Sequence, residues 1–404
     1  MKILVLDEEF PWPPDTGKRI RSLNLTRRLA RNHEIHYLAY GSEGSEAARG
    51  LADLGIAPVA VRPRVPRKSG PVFYLRLLLN LMSPLPYVVS SHYSKEFADE
   101  LASQLERHRP DLIVCEWSPY AEYIRSLSTP TKLIVAHNIE HLIWQRYYEN
   151  ETNPLKKWYI GIQYRKLKEF EQEAFRWAEG ATAVSDREAE QIRSFCPDTI
   201  VTTVDNGVDL EFFAPSTEPT VSNRLVFVGS LDWRPNQDAV RYFADKIMPE
   251  LEKLDLQVEI DVVGHKAPPD LMALDDRRGI NMRGRVPDVR PFIRAADVYV
   301  VPLRIGGGTR LKILEALSMK KAVVSTTVGA EGLQVVDGEH LLLADDPATF
   351  AGCVKRLFDD RALNTELGEK GRRLVEDRYG WDAIAAGLDK ALSRLVSTSG
   401  KDRS

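Results

Sequence analysis

Fifteen residues, Val301-Pro-Leu-Arg-Ile-Gly-Gly-Gly-Thr-Arg-Leu-Lys-Ile-Leu-Glu315, hold the densest set of groups suited to chemistry in this chain. The apolar run from Val298 to Leu303 predicts a buried strand, and a helix is expected to open at Thr309. Between them Gly306, Gly307 and Gly308 let backbone N–H groups approach an anion, to which the helix N-terminus adds its positive dipole end. Arg310 and Lys312, either side of Leu311, bring two cations to the same place, and Glu315 follows one turn later. This is a phosphate cradle beside a carboxylate, suited to a nucleoside diphosphate and its ribose hydroxyls. The competing reading is a plain turn with a solvated Lys312–Glu315 pair. Three consecutive glycines carry an entropic cost that a bare turn explains poorly.

Other groups stand where strands of an α/β protein end. Gly229 closes the apolar run Arg224–Val228, and Asp232-Trp-Arg-Pro-Asn236 follows it, offering Trp233 as a wall or as packing and Arg234 as a diphosphate contact or a surface charge. Gly17, in Asp15-Thr-Gly-Lys-Arg19, is either a site element or a turn before a helix, and Arg21 beyond it either reaches phosphate or is solvated. His137 follows the strand Lys132–Ala136; a lone histidine there is either a functional group or a cap on a buried loop. Glu140 and His141 could face either way on a helix. Glu331, in the turn Ala330–Leu333, is a further carboxylate.

The elements that must hold these groups alternate. Ile3–Leu6, Glu34–Tyr40, Leu112–Cys115 and Lys132–Ala136 read as strands; Gly17–Arg31, Ser94–Arg107, Tyr164–Trp177 and Arg187–Ser194 read as helices. A second series runs from Arg224 through a helix over Asp238–Leu251, a strand over Gln257–Val263, and onward to Pro347–Phe358. The polar stretch Ala214–Asn223 separates them, and helix is expected from Arg361 to Leu395 with a break at Tyr379-Gly-Trp381. Such alternation implies two doubly wound parallel sheets, whose ligands sit at the carboxyl ends of strands. The expected division is a first domain over 1–210, a second over 220–380, and a helix over 381–404 that crosses back to the first.

Bulk properties narrow the classes. At 404 residues, 43% hydrophobic and 28% charged with net charge -3, the chain is globular, long enough for two domains, and lacks the basic excess of a nucleic-acid binder. Cys115, Cys196 and Cys353 are too scattered for a metal pair, which fits a reduced cytoplasmic setting. The opening Met1-Lys-Ile-Leu-Val-Leu6 is too short for the apolar core of a signal peptide, and no apolar run reaches transmembrane length. One surface signal stands apart. Arg62, Arg64, Arg67, Lys68 and Arg76 flank the apolar run Val72–Met82, with no acidic residue from Gly55 to Lys95. It reads either as a patch that rests on an anionic membrane or as a buried helix beside a basic loop.

The arrangement resembles the GT-B glycosyltransferases, and the motifs resemble glycosyltransferase family 4, over nearly the whole chain. The resemblance rests on Phe227-Val-Gly-Ser-Leu-Asp232, Asn206-Gly-Val-Asp209, Gly329-Ala-Glu-Gly-Leu333, Asp337-Gly-Glu-His-Leu-Leu-Leu343 and Arg378-Tyr-Gly-Trp381. It implies two Rossmann-like domains facing a cleft, a nucleoside diphosphate sugar as donor, and retention at the anomeric carbon; no cofactor is expected, nor a catalytic metal, since no cluster of acidic residues suggests a Mg²⁺ or Mn²⁺ site. It assigns Gly17, Gly229, Gly306, Gly307, Gly308, Thr309, Leu311 and Glu315 to the donor, with Arg21, Arg234 and Glu331 as further contacts. His137, Arg310 and Lys312 carry the chemistry: the cations and the Gly307–Thr309 amides stabilise the departing diphosphate, and His137 orients the sugar or the reacting face. The family's two glutamates stand eight positions apart; Glu315 matches the second, but position 307 is glycine, and Ser230 replaces the usual cation. The variant resembles a branch in which the glycine loop and its own Arg and Lys bind diphosphate, leaving the sugar contact open.

The expected function is therefore glycosyl transfer to an acceptor hydroxyl, on a saccharide or a lipid-linked acceptor, in bacterial polysaccharide or glycolipid synthesis. The expected location is cytoplasmic, peripheral on the inner membrane face. The alternatives are a nucleotide-sugar epimerase of the same fold and a non-catalytic nucleotide-sugar binder. An NAD enzyme fits less well, since no G-x-G-x-x-G follows the first strand.

Overall fold

The computed structural model describes residues 1–62, 70–218, 220–277, 279–305 and 311–401. The chain divides into two compact units, one of Met1–Asp205 with Ile384–Ser404, the other of Asn206–Ala383.

Unit 1 is built on seven strands: β1 (Lys2–Asp7), β2 (Glu34–Tyr40), β3 (Ala57–Val61), β4 (Leu112–Cys115), β5 (Thr131–Ala136), β6 (Gly180–Ala183) and β7 (Ile200–Thr203). They lie in the order β3-β2-β1-β4-β5-β6-β7, and every neighbouring pair is parallel. Strands buried on both faces read as unbroken apolar runs, and β1, β4 and β5 are buried almost throughout. Helices begin where a side chain can cap them: Thr16 accepts from Arg19 N before Gly17–Leu29, and Ser94 from Phe97 N before Lys95–His108. The final helix, Trp381–Lys401, joins this unit from Ile384 onward, with Asp389 bonded to His33 and Asn32.

Unit 2 has six parallel strands: β8 (Arg224–Val228), β9 (Glu259–Val263), β10 (Ile280–Gly284), β11 (Val298–Val301), β12 (Ala322–Ser325) and β13 (Leu342–Leu343). Their order, β10-β9-β8-β11-β12-β13, is that of a doubly wound sheet that reverses direction between its first and fourth strands. The helix expected over Asp238–Leu251 runs from Arg234 to Lys253 with a π turn at Phe243–Ile247. Pro249 explains the turn: without an N–H it cannot donate into the helical ladder, and one wider turn accommodates its ring.

Three departures from the sequence reading have physical causes. The division falls at Asp205/Asn206, because Val208 N donates to Tyr379 O and Arg372 reaches the carbonyls of Leu210 and Phe213, tying 206–213 to unit 2. Strand β6 is Gly-Ala-Thr-Ala, which carries no apolar signal; a Cβ on Gly180 would stand 2.6 Å from Leu395 Cδ2, so the final helix crowds that position. The apolar helix at Pro71–Asn80 is not buried. Val72, Tyr74, Leu75, Leu78 and Leu79 are each between 55% and 68% exposed. Of the basic residues that flank it, Arg64, Arg67 and Lys68 lie outside the described residues. No helix among the described residues is long and apolar enough to cross a membrane.

Candidate functional site

In a doubly wound sheet the crevice beyond the strand ends opens where the strand order reverses. In unit 2 that point lies between β8 and β11, so the residues following Val228 and Val301 are the ones positioned to meet a ligand. Gly229 follows β8, and Lys312 stands on the first turn of the helix Leu311–Ser318 beyond β11. They meet: a Cβ on Gly229 would stand 2.7 Å from Lys312 Nζ and 2.8 Å from Asn236 Nδ2. A side chain at 229 would compete for the space that Lys312 and Asn236 fill. Lys312 Nζ donates to Asn236 Oδ1 at 2.8 Å and lies 4.4 Å from the centre of the Phe227 ring. The ammonium is therefore aimed by an amide and a π face over the end of β8, rather than simply solvated.

Glu315, one turn further, is half-buried, and burial pushes its carboxyl up to about 7 against the opposing pull of Lys312. Gly306, Gly307, Gly308, Thr309 and Arg310 lie outside the described residues, while Leu311 is half-buried against the core. The neighbouring exits close around this point. Gly264, after β9, packs so tightly on Gly229 that a Cβ would meet its carbonyl oxygen. Thr326 donates to Leu303 O and accepts from Gly329 N, which ties the turn bearing Glu331 to the segment leading into the glycine loop. Gly332 in that turn has φ of 83°, where glycine is favoured. Ser230, where the family's cation usually stands, bonds Asp232 and His265 instead. Arg234 and Trp233 are exposed at the start of their helix.

The corresponding reversal in unit 1 lies between β1 and β4, and its ends carry acids. Asp7 closes β1, with Glu8 beyond it, and Glu116 follows β4. Lys18, on the first turn of the helix Gly17–Leu29, bonds Asp7 and Glu8. Burial works against its charge, but those two carboxylates hold its pKa above the ordinary lysine value. Gly17 is exposed at the start of the same helix. Arg21 is different from either expectation. It is 1% exposed and donates to the carbonyls of Val204 and Asp205, so it fastens the helix to the end of β7 rather than meeting solvent. Burial lowers it to about 10, with Glu116 opposing.

His137 follows β5, and its Nε2 lies 2.9 Å from Glu116 Oε2. Ser22 Oγ donates to that same oxygen at 2.6 Å. Burial alone would raise Glu116; the hydrogen bond and charge of His137, with Ser22 and Lys18, outweigh it and hold the carboxylate below its ordinary value. Sequence reasoning missed Glu116, whose one signal is an acid placed directly after the apolar run Leu-Ile-Val-Cys. His141 is a buried structural partner: Glu171, fully buried, accepts from its ring, its backbone N–H, Glu140 N and Ser118 Oγ. That clamp fixes the turn carrying His137. Glu140 is pushed up to about 7, first by burial and then by the charge of Glu171.

The comparisons with known proteins bear on both units. Residues 19–212 match the family described as Glycosyltransferase Family 4, and residues 222–360 match Glycosyl transferases group 1. An uncharacterized 44.6 kDa protein from the cps region of Klebsiella pneumoniae is 21% identical over 96% of this chain and 99% of its own length. A phosphatidyl-myo-inositol mannosyltransferase of Mycobacterium tuberculosis is 26% identical, over 55% of this chain and 61% of its own. Among solved structures, Alr3699/HepE of Anabaena in complex with UDP-glucose superposes with a TM-score of 0.68 at 14% identity, over 98% of this chain and 100% of that one. Two parallel doubly wound sheets, each matched by its own glycosyltransferase family, identify the chain as a GT-B glycosyltransferase of the group 1/family 4 type.

Proposed function

We propose that the protein transfers a sugar from a nucleoside diphosphate sugar to an acceptor hydroxyl with retention at the anomeric carbon. The observation that carries the donor assignment is the meeting of Lys312 with Gly229 and Asn236 over the end of β8. A cation held there, on the first turn of a helix that follows a glycine loop, suits the departing diphosphate, whose charge grows as the bond to the anomeric carbon breaks. Arg310 and the Gly307–Thr309 amides join Lys312 in this reading, Glu315 takes the ribose hydroxyls, and Glu331 takes a sugar hydroxyl. His137, oriented by Glu116, faces the sugar. The new bond to the acceptor oxygen forms on the face that the diphosphate leaves. The Anabaena structure was solved with UDP-glucose, which supports a donor of this class.

The acceptor is assigned to unit 1. A cavity of about 550 Å³ lies beyond the end of β2, with Tyr40, Asn80, Tyr87, His92, Arg76 and Lys95 in its lining. Hydroxyls, aromatic faces and two cations suit a saccharide or phosphorylated headgroup. The exposed apolar helix Pro71–Asn80 borders the cavity through Arg76 and Leu79. We read that helix, with its basic flanks, as resting on an anionic membrane at the cytoplasmic face, where a lipid-linked acceptor is presented. Leu75→Ser/Leu78→Ser should abolish co-sedimentation with phosphatidylglycerol vesicles; unchanged sedimentation contradicts the membrane reading.

The donor reading is tested by a thermal-shift screen of UDP-, GDP- and other nucleotide sugars. One donor should raise the melting temperature, since a ligand that binds only the folded state stabilises it. Glu315→Ala should abolish that response. With the donor identified, transfer should proceed undiminished in EDTA, because the charge on the leaving group is met by Lys312 and Arg310. A screen in which every donor leaves the melting temperature unmoved sinks the assignment.

A further inference from the structure

A separate constellation lies at the other edge of unit 1's sheet, where the strands begin. Glu34 and His36 stand two residues apart on β2, so both project from the same face of the strand. His108 is the last residue of the helix Lys95–His108. His36 Nε2 lies 3.0 Å from Glu34 Oε1, and the two imidazole centres are 3.8 Å apart with their planes at 36°. One ligating atom from each of the three residues falls within 4.8 Å of the others. Zinc holds nitrogen and oxygen donors at about 2.0–2.2 Å, which sets tetrahedral donors about 3.3 Å apart. Side-chain rotations that draw the three donors closer together complete the set.

The backbone beneath these groups is fixed. Arg109, with φ of 47°, stops the helix directly after His108. Lys2 N donates to Asp111 Oδ2 at 2.8 Å, Asp111 N returns to Lys2 O at 2.9 Å, and Lys2 Nζ donates to His108 O at 3.3 Å. Lys2 in turn pairs in register with Glu34. The helix end and the start of β2 are thus held at one separation through β1. Glu34 is exposed and both histidines are half-buried, so an ion from solvent can reach all three. The cations facing the cluster are Lys2, whose ammonium is engaged by the His108 carbonyl, and Arg107.

From this geometry we infer that Glu34, His36 and His108 bind a divalent first-row transition ion, Zn²⁺ above all. Two imidazole nitrogens and one carboxylate oxygen come from the protein, and water fills the remaining position. The ion pins the end of the helix to β2. Its place at the strand starts sets it apart from Glu116 and His137 at the strand ends. It is independent of the proposed donor reading.

The test uses the full chain stripped of metal by chelator dialysis and titrated with Zn²⁺ in competition with a chromophoric chelator. One equivalent should bind with a low-micromolar or tighter Kd and raise the melting temperature. His36→Ala and His108→Gln should each weaken binding at least tenfold and lose the thermal response, with far-UV circular dichroism showing that both variants fold. His340→Ala should leave both readouts unchanged. Absence of a saturable equivalent in the wild type overturns the inference. So does unaltered affinity in His36→Ala/His108→Gln, or loss of binding in His33→Ala instead. Transfer activity, measured with and without chelator, reports separately on the donor site.

Discussion

Replacing Gly229 by alanine tests whether Lys312 is aimed at the donor. The new methyl would stand 2.7 Å from Lys312 Nζ, 2.8 Å from Asn236 Nδ2 and 3.0 Å from Asn236 Cγ. All three atoms belong to side chains that can move, and Gly229 is not among the glycines with positive φ, so the backbone has no reason to shift. The displacement falls on Lys312 and on Asn236, whose Nδ2 also donates to Ser230 O at 2.7 Å, so the bond between Lys312 Nζ and Asn236 Oδ1 is disturbed from both sides. A hydrogen bond to a charged group contributes about 1.5–3 kcal/mol. At about 1.4 kcal/mol per factor of ten, its loss from the reacting complex lowers kcat/KM for the donor by about 10- to 150-fold. Folding loses the same internal contact, and each kcal/mol of that loss lowers the melting temperature by about 2–4 °C.

The assay is a donor-concentration series at saturating acceptor, run on Gly229→Ala, Lys312→Met and the double variant. If both substitutions remove one interaction, the double variant loses no more than the worse single one. Activity of Gly229→Ala within about threefold of wild type would refute the reasoning. So would losses that multiply in the double variant, since the methyl would then act on something other than the lysine.

Other outcomes follow from buried charge. Burial raises Glu315 from 4.5 to about 7, so the folded protein holds that proton more tightly than the unfolded chain; the stabilisation is complete below about pH 4.5 and is lost as pH rises through 7. Glu315→Gln should therefore raise the melting temperature relative to wild type more at pH 8 than at pH 5, and equal differences at the two pH values contradict this. Glu116→Gln should lower kcat by about 100-fold while leaving the donor KM within about threefold, because His137 loses its charged anchor but the donor contacts remain; a purely structural role predicts lost stability with kcat intact. Arg21→Met leaves two backbone carbonyls without their donor and should cost about 2–4 kcal/mol in urea unfolding, with a cost under about 1 kcal/mol counting against it.

The sequence shows some of this architecture and hides the rest for identifiable reasons. Strands β1, β4, β8 and β11 were plain because parallel strands covered on both faces must be apolar at every position. Strand β6 was invisible because its composition answers to Leu395, more than two hundred residues away. Gly229 and Lys312 could be picked out as donor-site residues by type and order, but their mutual contact, and Asn236 between them, needed coordinates. Glu116 carries no spacing signal; it matters only because β4 and β5 are neighbours and His137 ends the second of them. Arg21 escapes a sequence reading because arginine is rarely buried, and the carbonyls that hold it come from the end of β7.

The two sheets reverse direction in the same way, yet their reversal points carry opposite chemistry. In unit 2 the strand ends offer glycines and an ammonium, a surface that favours anions. In unit 1 they offer Asp7, Glu8, Glu116 and Glu140, with Lys18 neutralising the first two and His137 covering the third. Burial pushes Glu140 up to about 7, so that carboxyl is readily protonated. Such a surface repels a diphosphate but accepts hydrogen bonds from sugar hydroxyls. The charge pattern thus supports the proposed reading, in which the diphosphate goes to unit 2 and hydroxyl-bearing groups to unit 1. The same argument makes the carboxylates, rather than further cations, the residues to exchange when acceptor preference is to be altered. Glu140→Gln should shift acceptor KM and leave donor KM in place; the reverse pattern would assign Glu140 to the donor.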